Sequence, residues 1–175
     1  MNIEKFLGSK TRAGIIKYLL FKRQGISMRA LETDLAWSFT AIKKQVDSLL
    51  EADIVTIKKD QTKWSIYIND QVYDLVRRIF LYSLEFELQK TFSLYPGIVE
   101  KYYLGKIFGN NINADMVVVY KTTDPEFLSD MKNKISEIFV DYYIDNVGVV
   151  FMQSGDFQRR YRLADKFVLN LITNS

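Results

Sequence analysis

Basic and hydroxyl side chains in the first 69 residues are spaced as phosphate-binding groups would be. Thr40, Lys43 and Lys44 fall on one side of an amphipathic segment, away from its apolar stripe. Lys58, Lys59 and Lys63 crowd a polar stretch between two β-rich runs, while Arg29 and Ser38 lie just upstream of the amphipathic segment. Lysine and arginine neutralise phosphate charge and release counterions, and hydroxyl groups donate to phosphates or base edges. Other chemistry is scarce. The chain has neither cysteine nor histidine, which excludes disulfides, thiolate zinc sites, a cysteine nucleophile and a histidine base. An enzyme built from this sequence would have to rely on carboxylates and a hard metal such as magnesium.

The charge is unevenly distributed. Residues 1–69 hold 12 Lys/Arg against 7 Asp/Glu, whereas residues 70–175 hold 12 against 14, within a net charge of +3. The basic half is the one a nucleic-acid partner would contact. At 175 residues, 48% hydrophobic and 26% charged, the chain can bury a core as one large domain or two small ones. No apolar run approaches the ~20 residues of a membrane-spanning helix. Glu4 and the lack of a small-residue cleavage site argue against a secretory signal. A soluble, cytoplasmic protein without membrane association is expected.

The elements that must position the basic groups follow from periodicity. Ser9 caps a helix over 9–22 that turns Ile15, Ile16, Leu19 and Leu20 inward. Ser27 caps a second over 28–35, whose Ala30, Leu31 and Leu35 face a third. That third helix starts at Ser38, and its Ala41, Ile42, Val46, Leu49 and Leu50 recur at three- and four-residue steps. Asp53, able to adopt the left-handed conformation, ends it. The runs 54–57 and 64–68 then form a hairpin around the polar stretch 58–63.

Two short helices, a tight connection at Ala36-Trp37-Ser38, and a hairpin with lysines at its tip resemble the winged helix-turn-helix regulators of the ArsR type over residues 7–69. The segment Leu7-Gly8-Ser9-Lys10-Thr11-Arg12 is similar to that family's opening to its first helix. The resemblance implies a recognition helix presenting Ser38, Thr40, Lys43 and Lys44, supported by Arg29, and a wing presenting Lys58, Lys59 and Lys63 to double-stranded DNA.

Residues 71–92 predict a long helix without internal glycine or proline. Its wide stripe includes Val72, Leu75, Val76, Ile79, Phe80, Ser83, Leu84, Phe86 and Leu88, with Tyr73, Leu81 and Tyr82 off the main face. So many large apolar groups imply burial on two sides, by the chain's own domains or by a second subunit. Val76, Phe80, Leu81 and Leu84 are the expected homodimer contacts.

Pro96-Gly97 breaks the chain. Beyond it the pattern predicts strands at 98–108, 116–120 and 146–152, a helix over 125–140 with Pro125 in its first turn, a basic segment with Arg159, Arg160 and Arg162, and a closing helix over 166–172. Phe108-Gly109-Asn110 followed by Asn113-Ala114-Asp115 and an apolar strand, and Val147-Gly148-Val149-Val150-Phe151 followed by Asp156-Phe157, resemble small nucleotidyltransferase-like domains. The resemblance covers 98–172. In the active members a Gly-Ser turn holds a triphosphate and converging acids hold two magnesium ions. Here Asp115 matches the second acid, but the first stands as Asn113, the turn serine as Asn110 and the third acid as Gly148. The resemblance therefore implies a degenerate site with no catalytic residues, metal or cofactor, on a fold kept as a scaffold or sensor.

The expected fold is α+β: a winged helix-turn-helix at 1–70, a connecting or dimerisation helix at 71–95, and a degenerate nucleotidyltransferase-like domain at 96–175. The expected function is a homodimeric, sequence-specific, DNA-binding transcription regulator, with a small-molecule or protein effector left open. Two alternatives are a nucleotide-binding or nucleotidyltransferase module that docks through its winged helix, and a plasmid or viral replication or partition protein.

Overall fold

The computed structural model describes residues 1–60, 63–105, 116–121, 124–145 and 147–174. It is a mixed α+β chain that divides into two compact units. One comprises Met1–Glu87 together with Asp141–Tyr143; the other comprises Leu88–Val140 and the chain from Ile144 onward.

In the first unit α1 (Ile3–Leu7) precedes α2 (Lys10–Phe21), α3 (Met28–Leu35), α4 (Phe39–Glu51), β1 (Val55–Asp60) and β2 (Lys63–Ile68). Side-chain caps fix most of the helix starts. Asn2, Ser9, Ser27 and Ser38 each accept a hydrogen bond from the backbone N–H three residues on, which satisfies a donor the helix itself leaves open. α1 is a helix that the sequence pattern does not announce; Gly8, at φ 67°, closes it against α2.

α2 is buried almost all round, because Ala13, Gly14, Lys17 and Tyr18 go inside along with the expected Ile15, Ile16, Leu19 and Leu20. Around it Leu31, Leu35, Ile42, Val46, Leu49, Val55, Ile66 and Ile68 are buried. Their helical or alternating spacing makes one face of each element apolar. Asp53 has φ 55° and ends α4 in the left-handed region, as its side chain permits. Ile26 adds a short antiparallel bridge to Ile66.

Buried Lys17 is held by an ion pair to Asp141 and lies 4.2 Å from the centroid of the Tyr142 ring. Tyr142 donates to Ser83 Oγ at 2.9 Å, and Ser83 donates to the carbonyl of Met1 at 2.7 Å. Burial pushes the Tyr142 phenol up to about 12.

α5 (Tyr73–Phe92) runs from the first unit into the second. The second unit continues with β3 (Val99–Leu104), β4 (Met116–Tyr120), α6 (Pro125–Asp141), β5 (Val149–Gln153), α7 (Ser154–Arg162) and α8 (Lys166–Asn174). Its sheet has the order β3-β4-β5. β3 pairs antiparallel with β4, and β5 runs parallel to β4, so the connection through α6 is a crossover. Met116, Val117, Val118 and Val119 are all buried, which places the central strand between two covered faces. Val117 and Val119 share a core with Met152, Phe157, Val168 and Leu171.

The expected basic segment is part of α7, which starts at Ser154, earlier than the sequence pattern places it. Tyr95 donates to Asp130 at 2.6 Å, as does Lys134 at 2.9 Å, and these two donors hold the Asp130 carboxyl below its usual range. No described helix is long and apolar enough to cross a membrane.

Candidate nucleic-acid interface

The turn between α3 and α4 determines how α4 is presented. Ala36 takes a left-handed conformation at φ 53°, Trp37 packs against Gly14 of α2, and Ser38 begins α4. Ser38 Oγ accepts from the N–H of Ala41 at 3.3 Å, and Glu32 Oε1 of α3 accepts from the N–H of Phe39 at 3.2 Å. Two of the orphan donors at the start of α4 are thus bound by side chains, one of them from the preceding helix. The Ser38 oxygen acts as a cap in this arrangement, leaving its O–H to donate outward.

With Ile42, Val46 and Leu49 buried, the opposite side of α4 shows Thr40, Lys43 and Lys44, all exposed. Lys43 pairs with Asp47 at 3.5 Å, an exposed i,i+4 bridge of little energetic weight. Lys44 has no ion pair among the described residues. Arg29 is exposed on α3. Arg12, which also reads as basic in the sequence, has a different task. Its guanidinium donates to Gln45 Oε1 at 3.1 Å, to Ser48 Oγ at 3.0 Å and to the carbonyl of Leu7 at 3.2 Å. It ties α2 to α4 and to the end of α1, using the fixed fork of donors that lysine lacks.

The hairpin departs from expectation in one respect that matters. The pairing Lys58↔Ser65, Lys59↔Trp64 and Asp60↔Lys63 extends the strands up to residues 60 and 63, so the lysines stand on strands, not in a loop. Alternation then separates them. Lys58 and Lys63 share a face with Thr56, Ser65 and Tyr67, whereas Lys59 shares the other with Trp64 and with the buried Val55, Ile66 and Ile68. Lys58 lies 5.0 Å from the Tyr67 ring centroid and 3.5 Å from an Asp70 carboxylate oxygen; Lys59 lies 5.4 Å from the centroid of Trp64.

Trp64 itself is 59% exposed. The exposure of this indole, with Lys59 across from it, is something the periodicity of the strand conceals, because an aromatic residue in a β-rich run reads as core.

On α5 the apolar stripe is split in two. Phe80 and Leu84 are 2% and 0% exposed within their own chain, while Val76 and Leu81 are half-buried. A side chain already buried has almost no surface left to give a partner, so Phe80 and Leu84 cannot supply the contact area assigned to them from sequence. The large groups that α5 leaves outside are Leu75, Tyr82 and Phe86.

In the second unit, Gly109, Asn110, Asn113 and Asp115 lie outside the described residues. Gly148 lies within them and is exposed, its carbonyl accepting from Met116 N at 3.0 Å. Arg159 and Arg160 are exposed but engaged locally, with Asp156 at 2.9 Å and Asp165 at 3.8 Å. Arg162 is exposed beside them.

No family model, curated protein or solved structure matches the chain.

Proposed function

We propose that this chain is a sequence-specific, duplex-DNA-binding transcription regulator acting as a homodimer. The first unit is read as a winged helix-turn-helix of the ArsR type, with α4 as recognition helix and the β1–β2 hairpin as wing. One observation carries the reading most. α4 buries Ile42, Val46 and Leu49 and offers Thr40, Lys43 and Lys44 outward, and the hairpin that follows it carries exposed Lys58, Lys59 and Lys63. A helix so presented suits the major groove, and such a hairpin suits the neighbouring phosphates. Fluorescence anisotropy with a labelled, randomised duplex pool, followed by selection of the bound fraction, tests it. Enrichment of a sequence with inverted half-sites is expected. Failure to bind duplex DNA at low salt would end the reading.

The second unit is read as a nucleotidyltransferase-like fold that does not transfer nucleotides. The positions that would supply the acids read Asn113, Asp115 and Gly148. One carboxylate cannot neutralise two divalent cations, since asparagine brings no charge and glycine no side chain. Incubation with each labelled nucleoside triphosphate and magnesium or manganese should give no label in protein or nucleic acid. Incorporation that Asp115→Ala abolishes would instead favour an enzyme that docks through its first unit.

A further inference from the structure

α5 is apolar on two opposite sides, and among the described residues only one of them is covered. Phe80, Leu84 and Leu88 follow each other at four-residue steps and are buried. On the other side stand Leu75, Ile79, Tyr82 and Phe86, at steps of four, three and four. Leu75 and Tyr82 are 60% and 61% exposed, Phe86 is exposed and Ile79 half-buried. At about 100° per residue these four fall within an arc of roughly 60°, opposite Leu84. Alternating steps of four and three are the repeat of a seam between two helices.

One flank of this stripe carries Arg78 and Glu85, seven residues apart and so nearly in line along the helix. Neither has an ion pair among the described residues. We propose that the stripe is covered by the same helix of a second copy, running antiparallel about a twofold axis level with Phe80 and Leu81. Leu75 then meets Phe86 of the second copy, Ile79 meets Tyr82, and Arg78 faces Glu85 twice, once on each side of the axis. Charge selects this orientation. A parallel pair would still set Glu85 near Lys90, but it would place Arg78 against the uncharged, buried Ser83. Antiparallel pairing engages both charges of the flank.

The inference deepens the homodimer in the proposed function and makes no use of DNA. Sedimentation equilibrium at micromolar concentration should give the wild type a mass near twice 20.5 kDa. Arg78→Glu and Glu85→Arg, each alone, bring like charges together at both contacts. Each should weaken the dimer at least about tenfold, with circular dichroism unchanged. Mixing the two single variants should restore the dimer, because the glutamate placed at position 78 then faces the arginine placed at position 85, and the native pair re-forms on the other side of the axis. Rescue in the mixture also excludes misfolding as the cause. A wild type that is monomeric at every concentration, single variants as dimeric as wild type, or a mixture that stays monomeric would each overturn the proposal. A dimer that fails to bind duplex DNA would overturn the DNA reading alone.

Discussion

Trp37 lies against the bare Cα of Gly14: a methyl group added there would stand 2.2 Å from Cη2 and 2.8 Å from Cζ3 of the indole. Glycine inside a helix costs about 1 kcal/mol relative to alanine, and α2 accepts that cost so that the turn before α4 can close on it. Gly14→Ala should therefore destabilise the first unit, against the usual helix trend. Overpacking of about 1–3 kcal/mol offsets the gain in propensity of about 1 kcal/mol, for a net loss of up to about 2 kcal/mol. Thermal unfolding checks this. A variant as stable as wild type would mean that Trp37 is free to move aside.

Arg12 is read as a structural clamp, so its loss should show in stability and not in electrostatics. Arg12→Ala removes donors to Gln45, Ser48 and Leu7 and should cost about 2 kcal/mol. Arg12→Lys should recover little, because a point charge cannot reach three acceptors at once. The salt dependence of DNA binding should be the same in both variants as in wild type. A flatter dependence would assign Arg12 to the DNA surface.

The sequence carries much of the first unit because its signals are local. Ser9, Ser27 and Ser38 cap the helices they are expected to cap, and the apolar steps of α4 and of the hairpin follow from one buried face each. What fails is what depends on partners far along the chain. Nothing in the local sequence assigns Arg12 or Lys17 an interior partner; the fold brings Gln45 and Ser48 to the first and Asp141 to the second. The sequence of α5 puts Leu75 on one stripe with Phe80 and Leu84 and leaves Tyr82 off it, and only burial groups Phe80 with Leu84 inside and Leu75 with Tyr82 outside. Register decides the wing: the lysines at 58, 59 and 63 are legible as a cluster, but their division between two faces requires the pairing Lys59↔Trp64.

Alkaline pH should weaken the first unit through Tyr142. Its phenol is buried, and burial pushes it up to about 12. A group whose folded pKa is raised contributes stability that is fully present below the unfolded value of about 10 and is lost as pH rises toward the folded one. At neutral pH Tyr142→Phe should be the less stable protein by about 1 kcal/mol, for want of the bond to Ser83. The gap between the two proteins should narrow between pH 10 and pH 12. Parallel losses across that range would show that Tyr142 does not ionise with unfolding.

The two tryptophans make a built-in test of which surface meets DNA. Trp37 is packed on Gly14, whereas Trp64 stands exposed beside Lys59. If the hairpin contacts duplex DNA, emission should change on titration with DNA in the wild type and in Trp37→Phe, but not in Trp64→Phe. A signal that follows Trp37 instead would move the contact away from the hairpin.

The most direct measurement of DNA binding through this surface is the slope of log affinity against log salt. Each phosphate contact contributes about 0.9 to that slope on duplex DNA. Replacing Lys58 and Lys63, which share a face, with alanine should flatten it by about 1.8, and adding Lys59→Ala should bring the change to about 2.7. Thr40→Ala or Lys44→Ala should instead alter which sequence is preferred. A slope unchanged in the triple lysine variant, at affinity equal to wild type, would contradict the assignment of this hairpin as a wing on the DNA backbone.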